Sequence, residues 1–214
     1  MVDDKFSYVV KIYIVLVIQI ISTFLVIWNL RKDQTSFSEF IENFNIFIYV
    51  ALVLIIVIIF SFLSNKYFYT KLLLFSLFAF IKACIIYIGS KDLDQDTLET
   101  AFISTILTFG AMTFIAYILY RLGYNIHWIG LYLFVALIGL IIAHIVMLFK
   151  KPDNQTKRGL VYIGIVLFSL FVMYDTNNVL IYRMNTYNDD YLTPAMEFYI
   201  DFFALFRNYL RLEE

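Results

Sequence analysis

Carboxylates stand inside two long apolar stretches of this sequence, where an ionised side chain has no water to solvate it. The first stretch holds Met173-Tyr174-Asp175-Thr176-Asn177-Asn178, and the second holds Glu197-Phe198-Tyr199-Ile200-Asp201. A charge at the centre of a membrane-spanning helix costs ~2.5–3.5 kcal/mol on insertion scales, so its presence there points to function. Asp175 lies eight residues before Arg183, and Asp201 eleven after Asp190, so both sit at similar depths from the hairpin between them. At ~1.5 Å per residue these depths are roughly 12 and 16 Å. Two antiparallel neighbours would bring the two aspartates face to face. Asn178 follows Asp175 by three residues and Glu197 precedes Asp201 by four, so each shares a helix face with its aspartate.

Two carboxylates in contact at low dielectric share a proton and lose it in two macroscopic steps. Such a pair acts as a pH-dependent latch between helices. Deprotonated, Asp175 and Asp201 offer the hard oxygen ligands that calcium takes. The same spacing also suits a protonated, hydrogen-bonded tie with no gating role, and spacing does not decide between latch and tie.

The elements that carry these residues follow from composition. Of the 214 residues, 62% are hydrophobic and 15% charged, against roughly 25% charged in a soluble domain. The apolar excess recurs along the whole chain in runs of about 20 residues, the length that crosses a ~30 Å hydrocarbon core as a helix. No alternation of the kind that marks a membrane barrel is visible. The expected fold is an all-α integral membrane protein, a seven-transmembrane helix bundle in one polytopic domain. Its spans are expected at about 6–30, 45–63, 71–89, 98–120, 126–149, 159–182 and 191–212. The first run is too long for a signal-peptide core and lacks a small-residue cleavage site, so it reads as a retained span.

The connections are short and leave no room for a soluble domain. Arg31 to Asn43 reads as a polar connection, Lys91 to Thr97 as an acidic loop, and Lys150 to Arg158 as the most basic loop of the chain. Lys and Arg are more numerous on the side of that basic loop, which by the positive-inside rule places the N-terminus outside. Ala101, Ser104, Thr105, Thr108 and Ala111 in the fourth span, and Gly139 with Ala143 in the fifth, read as faces for close helix packing. Cys84, the single cysteine, reads as a packing residue, and with one cysteine no intrachain disulfide or cysteine-based metal cluster forms. No basic stripe suggests nucleic acid, and no cofactor motif is present.

Two enzymatic readings fail on the residues. An intramembrane aspartyl protease needs Gly-x-Gly-Asp at its second aspartate, whereas Asp201 is flanked by Tyr199, Ile200 and Phe202. A rhomboid-type serine protease needs a serine motif beside an intramembrane histidine, and none accompanies His144. No enzymatic activity is expected.

Tyr174-Asp175-Thr176, then Asp190-Tyr191-Leu192, and Phe198-Tyr199-Ile200-Asp201-Phe202-Phe203 with Leu205-Phe206-Arg207 together resemble the closing signature of the Bax-inhibitor/Lifeguard family. Val10-Lys11-Ile12-Tyr13 with Gln19, and Ala101-Phe102-Ile103 with Thr105, agree with it. The resemblance, Lifeguard-like in kind, implies a last helix wrapped by the other six. It implies a pH-sensitive calcium leak gated by the proton shared between Asp175 and Asp201, with Glu197, Asn178, Lys82 and Lys66 as pore- or gate-lining candidates. Calcium is then the permeant ion, and Asp175 and Asp201 are its metal-contacting residues. A protective role in cell death follows, exerted among lipids and other membrane proteins of cell-death pathways. The implied location is the ER or Golgi in a eukaryotic or viral setting, and otherwise the plasma membrane. The family topology puts the N-terminus in the cytosol, against the charge count, and the longer match outweighs one basic loop.

The chain departs from the family pattern at two positions. Ala204 stands where an asparagine is usual, and Lys82 stands near the place where Lifeguard-type members often carry a glutamate. A lysine there would pair with Asp175, Glu197 or Asp201, or repel calcium from the path. These departures support the competing reading, a non-conducting membrane protein of the same fold that acts through partners.

Overall fold

The structure, a computed structural model, describes residues 2–32, 36–150, 153–183 and 190–213. Residues 184–189 of the expected last hairpin, 33–35 of the first connection and 151–152 of the basic loop lie outside the described residues. Those described form eight α-helices: α1 (Val2–Lys32), α2 (Ser36–Asn43), α3 (Ile46–Phe62), α4 (Phe68–Ser90), α5 (Gln95–Arg121), α6 (Gly130–Phe149), α7 (Asn154–Ile181) and α8 (Leu192–Glu213). Two 3-10 turns, Asn65–Tyr67 and His127–Ile129, lead into α4 and α6.

Five segments are long and apolar enough to cross a membrane: Ser7–Lys32, Asn65–Ser90, Gln95–Arg121, His127–Met147 and Asn154–Ile181. Large apolar side chains such as Leu54, Leu107 and Val166 stay on the surface, as a lipid-facing surface requires. The chain is a multi-pass membrane protein. The seven expected spans are not matched one for one, for two physical reasons. α3 has 17 residues, about 26 Å at ~1.5 Å rise, and with Phe37–Asn43 it forms a pair bent by 89°. α8 carries Glu197, Asp201, Arg207 and Arg211, too many charges for its length to read as an apolar span.

The helix ends are set by local chemistry. Asp94 and Asp153 cap α5 and α7 by accepting from the amides of Thr97 and Thr156. Hydrogen bonding to Thr97 holds the Asp94 carboxyl below its ordinary value. α5 stops at Gly123, whose φ of 81° opens the left-handed region. There the Gly123 amide donates to Tyr120 O at 3.0 Å and the Tyr124 amide to Leu119 O at 2.9 Å, the paired bonds of a Schellman stop.

Three boundaries differ from expectation. The connection after α1 contains α2, an amphipathic helix with Ser38 and Ile41 buried and Phe37 and Phe40 exposed. α4 starts three residues before Lys71, after a 3-10 turn, and this carries Lys71 a full turn into the helix. α7 starts at Asn154, so Lys157 and Arg158 belong to its first turns and not to a loop.

The chain divides into two compact units. The first holds residues 1–92 and 189–199; in it α4 packs against α1, α2 and α3. The second holds residues 93–188 and 200–214; in it α7 packs against α5 and α6. α8 begins in the first unit and ends in the second. Leu192, Ala195, Met196, Phe198, Tyr199, Asp201, Phe202, Phe203, Leu205, Phe206, Asn208 and Leu210 are all buried along it. Such a run leaves no broad lipid-facing stripe on this helix.

Candidate functional site

In the second unit, Asp175 sits half-buried in α7 and Asp201 buried in α8, at 5% exposure. Asp201 is the one fully buried carboxylate among the described residues. Next along α8, the Phe202 ring meets Phe102 at 6.1 Å and Phe109 at 5.8 Å, both edge to face. Around Asp175 the helix is held by polar neighbours. Thr176 donates back to Val172 O at 2.8 Å. Buried Asn177 donates to Tyr124 O and accepts from the Ile126 amide, each at 3.2 Å. One side chain of α7 therefore fastens the turn between α5 and α6. Tyr174, next to Asp175, stacks on His127 with ring centres 5.9 Å apart. Gly130 lets the ring approach closely, since a Cβ there would fall 2.7 Å from the Tyr174 hydroxyl oxygen and push the ring aside.

Asp175, Asn178 and Asp201 thus belong to one compact unit, while Glu197, Lys82 and Lys66 belong to the other. Asn178 and Glu197 are half-buried. Lys82 is also half-buried, with its Nζ 5.6 Å over the Phe78 ring, a placement in which the ring's negative face offsets part of the ammonium's desolvation. Lys66 lies exposed in the 3-10 turn before α4. Among the described residues no three His, Cys, Asp or Glu side chains gather as a metal site.

The basic residue that sequence reasoning missed is Lys71. It is 3% exposed, and its Nζ donates to Asp190 Oδ2 at 2.8 Å, Asn65 Oδ1 at 2.9 Å and Thr193 Oγ1 at 3.0 Å. All three ammonium protons are matched. Asp190 in turn accepts from the Thr193 hydroxyl at 2.6 Å and amide at 3.2 Å, which ties it to the first turn of α8. Burial pushes the Asp190 carboxyl up, but the Lys71 ammonium and Thr193 outweigh it and hold it below the ordinary carboxylate value. The Tyr8 hydroxyl donates to Asp190 O at 3.0 Å, which brings α1 to the same cluster. The one sequence signal was Asp190-x-x-Thr193 ahead of Pro194, a helix-start pattern; its lysine partner lies 119 positions away.

Further along the first unit, Gln19 donates to Ser76 Oγ at 3.0 Å. Thr23 donates to Gln19 O at 2.8 Å, so it accepts from the Tyr199 hydroxyl 2.7 Å away. Tyr199, in the Phe198-Tyr199-Ile200-Asp201 segment, is wholly buried between Phe75 and Phe78. The expected packing faces are matched in part. Ala101 and Thr105 are fully buried and Thr108 meets Tyr209 at 2.6 Å, whereas Ala111 is exposed. A Cβ on Gly139 would meet nothing within 4 Å; the close approach falls at Gly164, where a Cβ would lie 2.5 Å from Asn208 Oδ1.

A family model described as "Inhibitor of apoptosis-promoting Bax1" matches residues 5–212. The chain belongs to this Bax-inhibitor family. It is also similar to Protein LIFEGUARD 1 of Arabidopsis thaliana, 26% identical over 113 residues, which is 53% of this chain and 46% of that protein. The match therefore spans about half the length of that relative. Membership of the Bax-inhibitor family accounts for the several apolar helices and for the signature around Asp175 and Asp201.

Proposed function

We propose that this chain is a calcium leak channel opened by rising pH, with Asp175 and Asp201 as its gate and a protective role in cell death. The observation that carries the reading is Asp201, a buried carboxylate held in the same compact unit as Asp175. With one proton shared between them, the two carboxyls bond as a charge-assisted pair and keep α7 and α8 closed. Loss of that proton leaves two like charges at low dielectric, which drives the helices apart. The reading takes seven spans, with α3 and α8 as the short and the polar one, and α8 as the central helix. The burial along α8 supports that place for it. Asn178, of the same unit, would line the path, and Glu197, Lys82 and Lys66 remain the other candidates of this reading. An endomembrane location in a eukaryotic or viral setting, and otherwise the plasma membrane, goes with this reading, as do lipids, calcium and other cell-death proteins as partners.

The test is calcium flux against pH from liposomes holding the purified protein. Wild-type flux should rise with pH, and Asp175→Asn and Asp201→Asn should each abolish that dependence. The double variant should match either single one, because both remove the same shared proton. Variants that keep the wild-type profile would reduce the pair to a tie between helices. A wild type silent at every pH would favour the second reading, a non-conducting partner-binding protein, for which Lys82 and Ala204 are the motive.

A further inference from the structure

The basic segment after α6 plays no part in that gate, yet its residues line a cavity. In the second unit a cavity of about 520 Å³ is lined by His144 and Met147 of α6, Asn154, Lys157, Arg158, Leu160 and Val161 of α7, and Arg211 of α8. Its volume is in the range of ligand pockets, about 300–1,000 Å³. Three of its lining side chains are cationic and none is acidic. Asp153, which caps α7, is engaged by its own helix: Thr156 donates to it through hydroxyl and amide. Those bonds hold the Asp153 carboxyl below its ordinary value.

The wall is built and not incidental. His144 Nδ1 lies 2.8 Å from Leu140 O, an atom that only accepts, so Nδ1 carries the proton. Nε2 then accepts from Arg211 Nη1 at 3.0 Å. A neutral histidine thus fixes the guanidinium of α8 against α6 at the cavity wall. Lys157 and Arg158 join the lining from the first turns of α7, where the helix dipole adds positive potential.

The cavity lies where the apolar spans stop. The α6 span ends at Met147 and the α7 span starts at Asn154, which puts the cationic side chains at the level of lipid headgroups. Met147, Leu160 and Val161 supply an apolar floor that a free phosphate has no use for. We propose that this cavity binds the phosphate headgroup of an anionic phospholipid, with Lys157, Arg158 and Arg211 on the phosphate and the apolar floor under the acyl roots.

Native mass spectrometry of the purified protein, with phosphatidylglycerol and phosphatidylcholine offered in equal amounts, tests it. The wild type should retain phosphatidylglycerol in clear preference. Lys157→Gln with Arg158→Gln should weaken that retention by roughly fivefold per charge removed, the factor for a basic residue near an anionic surface. Both side chains are exposed, so the variant should keep its gel-filtration profile and thermal midpoint. A matched pair, Lys32→Gln with Arg121→Gln, removes two charges elsewhere and should keep the preference. Equal retention of the two lipids by the wild type overturns the proposal. So does a Lys157/Arg158 variant that binds like wild type, or a matched pair that loses as much. Displacement of the lipid by millimolar glycerol phosphate would assign the cavity to a soluble anion and overturn the lipid assignment.

Discussion

Lys71 and Asp190 form an ion pair in which almost nothing is left to solvent: the side chains are 4% and 16% exposed. Removing one member of a buried pair strands the other, at a typical cost of about 3–5 kcal/mol. Lys71→Met should therefore lower stability by about 3 kcal/mol at neutral pH, the lower end of that range. The Asp190 carboxyl is depressed in the folded state, so its contribution is complete above the unfolded value of about 3.9 and lost as pH falls through the folded value. The gap between wild type and Lys71→Met should be full at neutrality and shrink as the pH falls into the carboxylate range near about 3.9 and below. Thermal unfolding of both proteins across that range is the check, and a gap indifferent to acid would deny the pair its electrostatic role.

At the scale of elements, the helices of the second unit approach through Gly164. A methyl group on it would sit 2.5 Å from Asn208 Oδ1 and 2.9 Å from Asn208 Nδ2. Gly164→Ala should destabilise by about 1–3 kcal/mol, the usual cost of overpacking. Shortening the opposing side chain relieves the clash, so Gly164→Ala with Asn208→Ala should lose less than the sum of the two single changes. Midpoints of the four proteins close this cycle, and strict additivity would place the two residues out of contact.

How much of this was legible in the sequence divides along the same line. The apolar helices were legible because spanning length repeats along the chain, and the burial of Asp201 because a polar last helix cannot face lipid. The Lys71 cluster was not, since a lysine at a span edge reads as a headgroup contact until the helix start is known. The Gly164 approach was missed because small-residue spacing favoured Gly139, and spacing on one helix does not say which partner faces it. Lys157 and Arg158 read as loop residues because the helix start at Asp153 lay inside the basic run.

For the whole molecule, the count of spans fixes where the ends emerge. Seven crossings put the two termini on opposite faces of the membrane, and six would put them on the same one. Reporter tags at each end, probed with an impermeant reagent in sealed vesicles, should label from opposite sides. Labelling of both from one side would exclude the seven-span reading and leave α8 or α3 short of a full crossing.

Cys84, the single cysteine, is 1% exposed in the packed face of α4. A thiol reacts as its thiolate and only where a reagent can reach it, so this one stays silent while α4 remains packed. The protein thus carries its own stopwatch for unfolding. A fluorogenic maleimide added during a temperature ramp would light up as the helix lets go, with no label to engineer and no second thiol to confuse the trace. The destabilised variants at Lys71 and Gly164 can be ranked in detergent or bilayer by that signal alone.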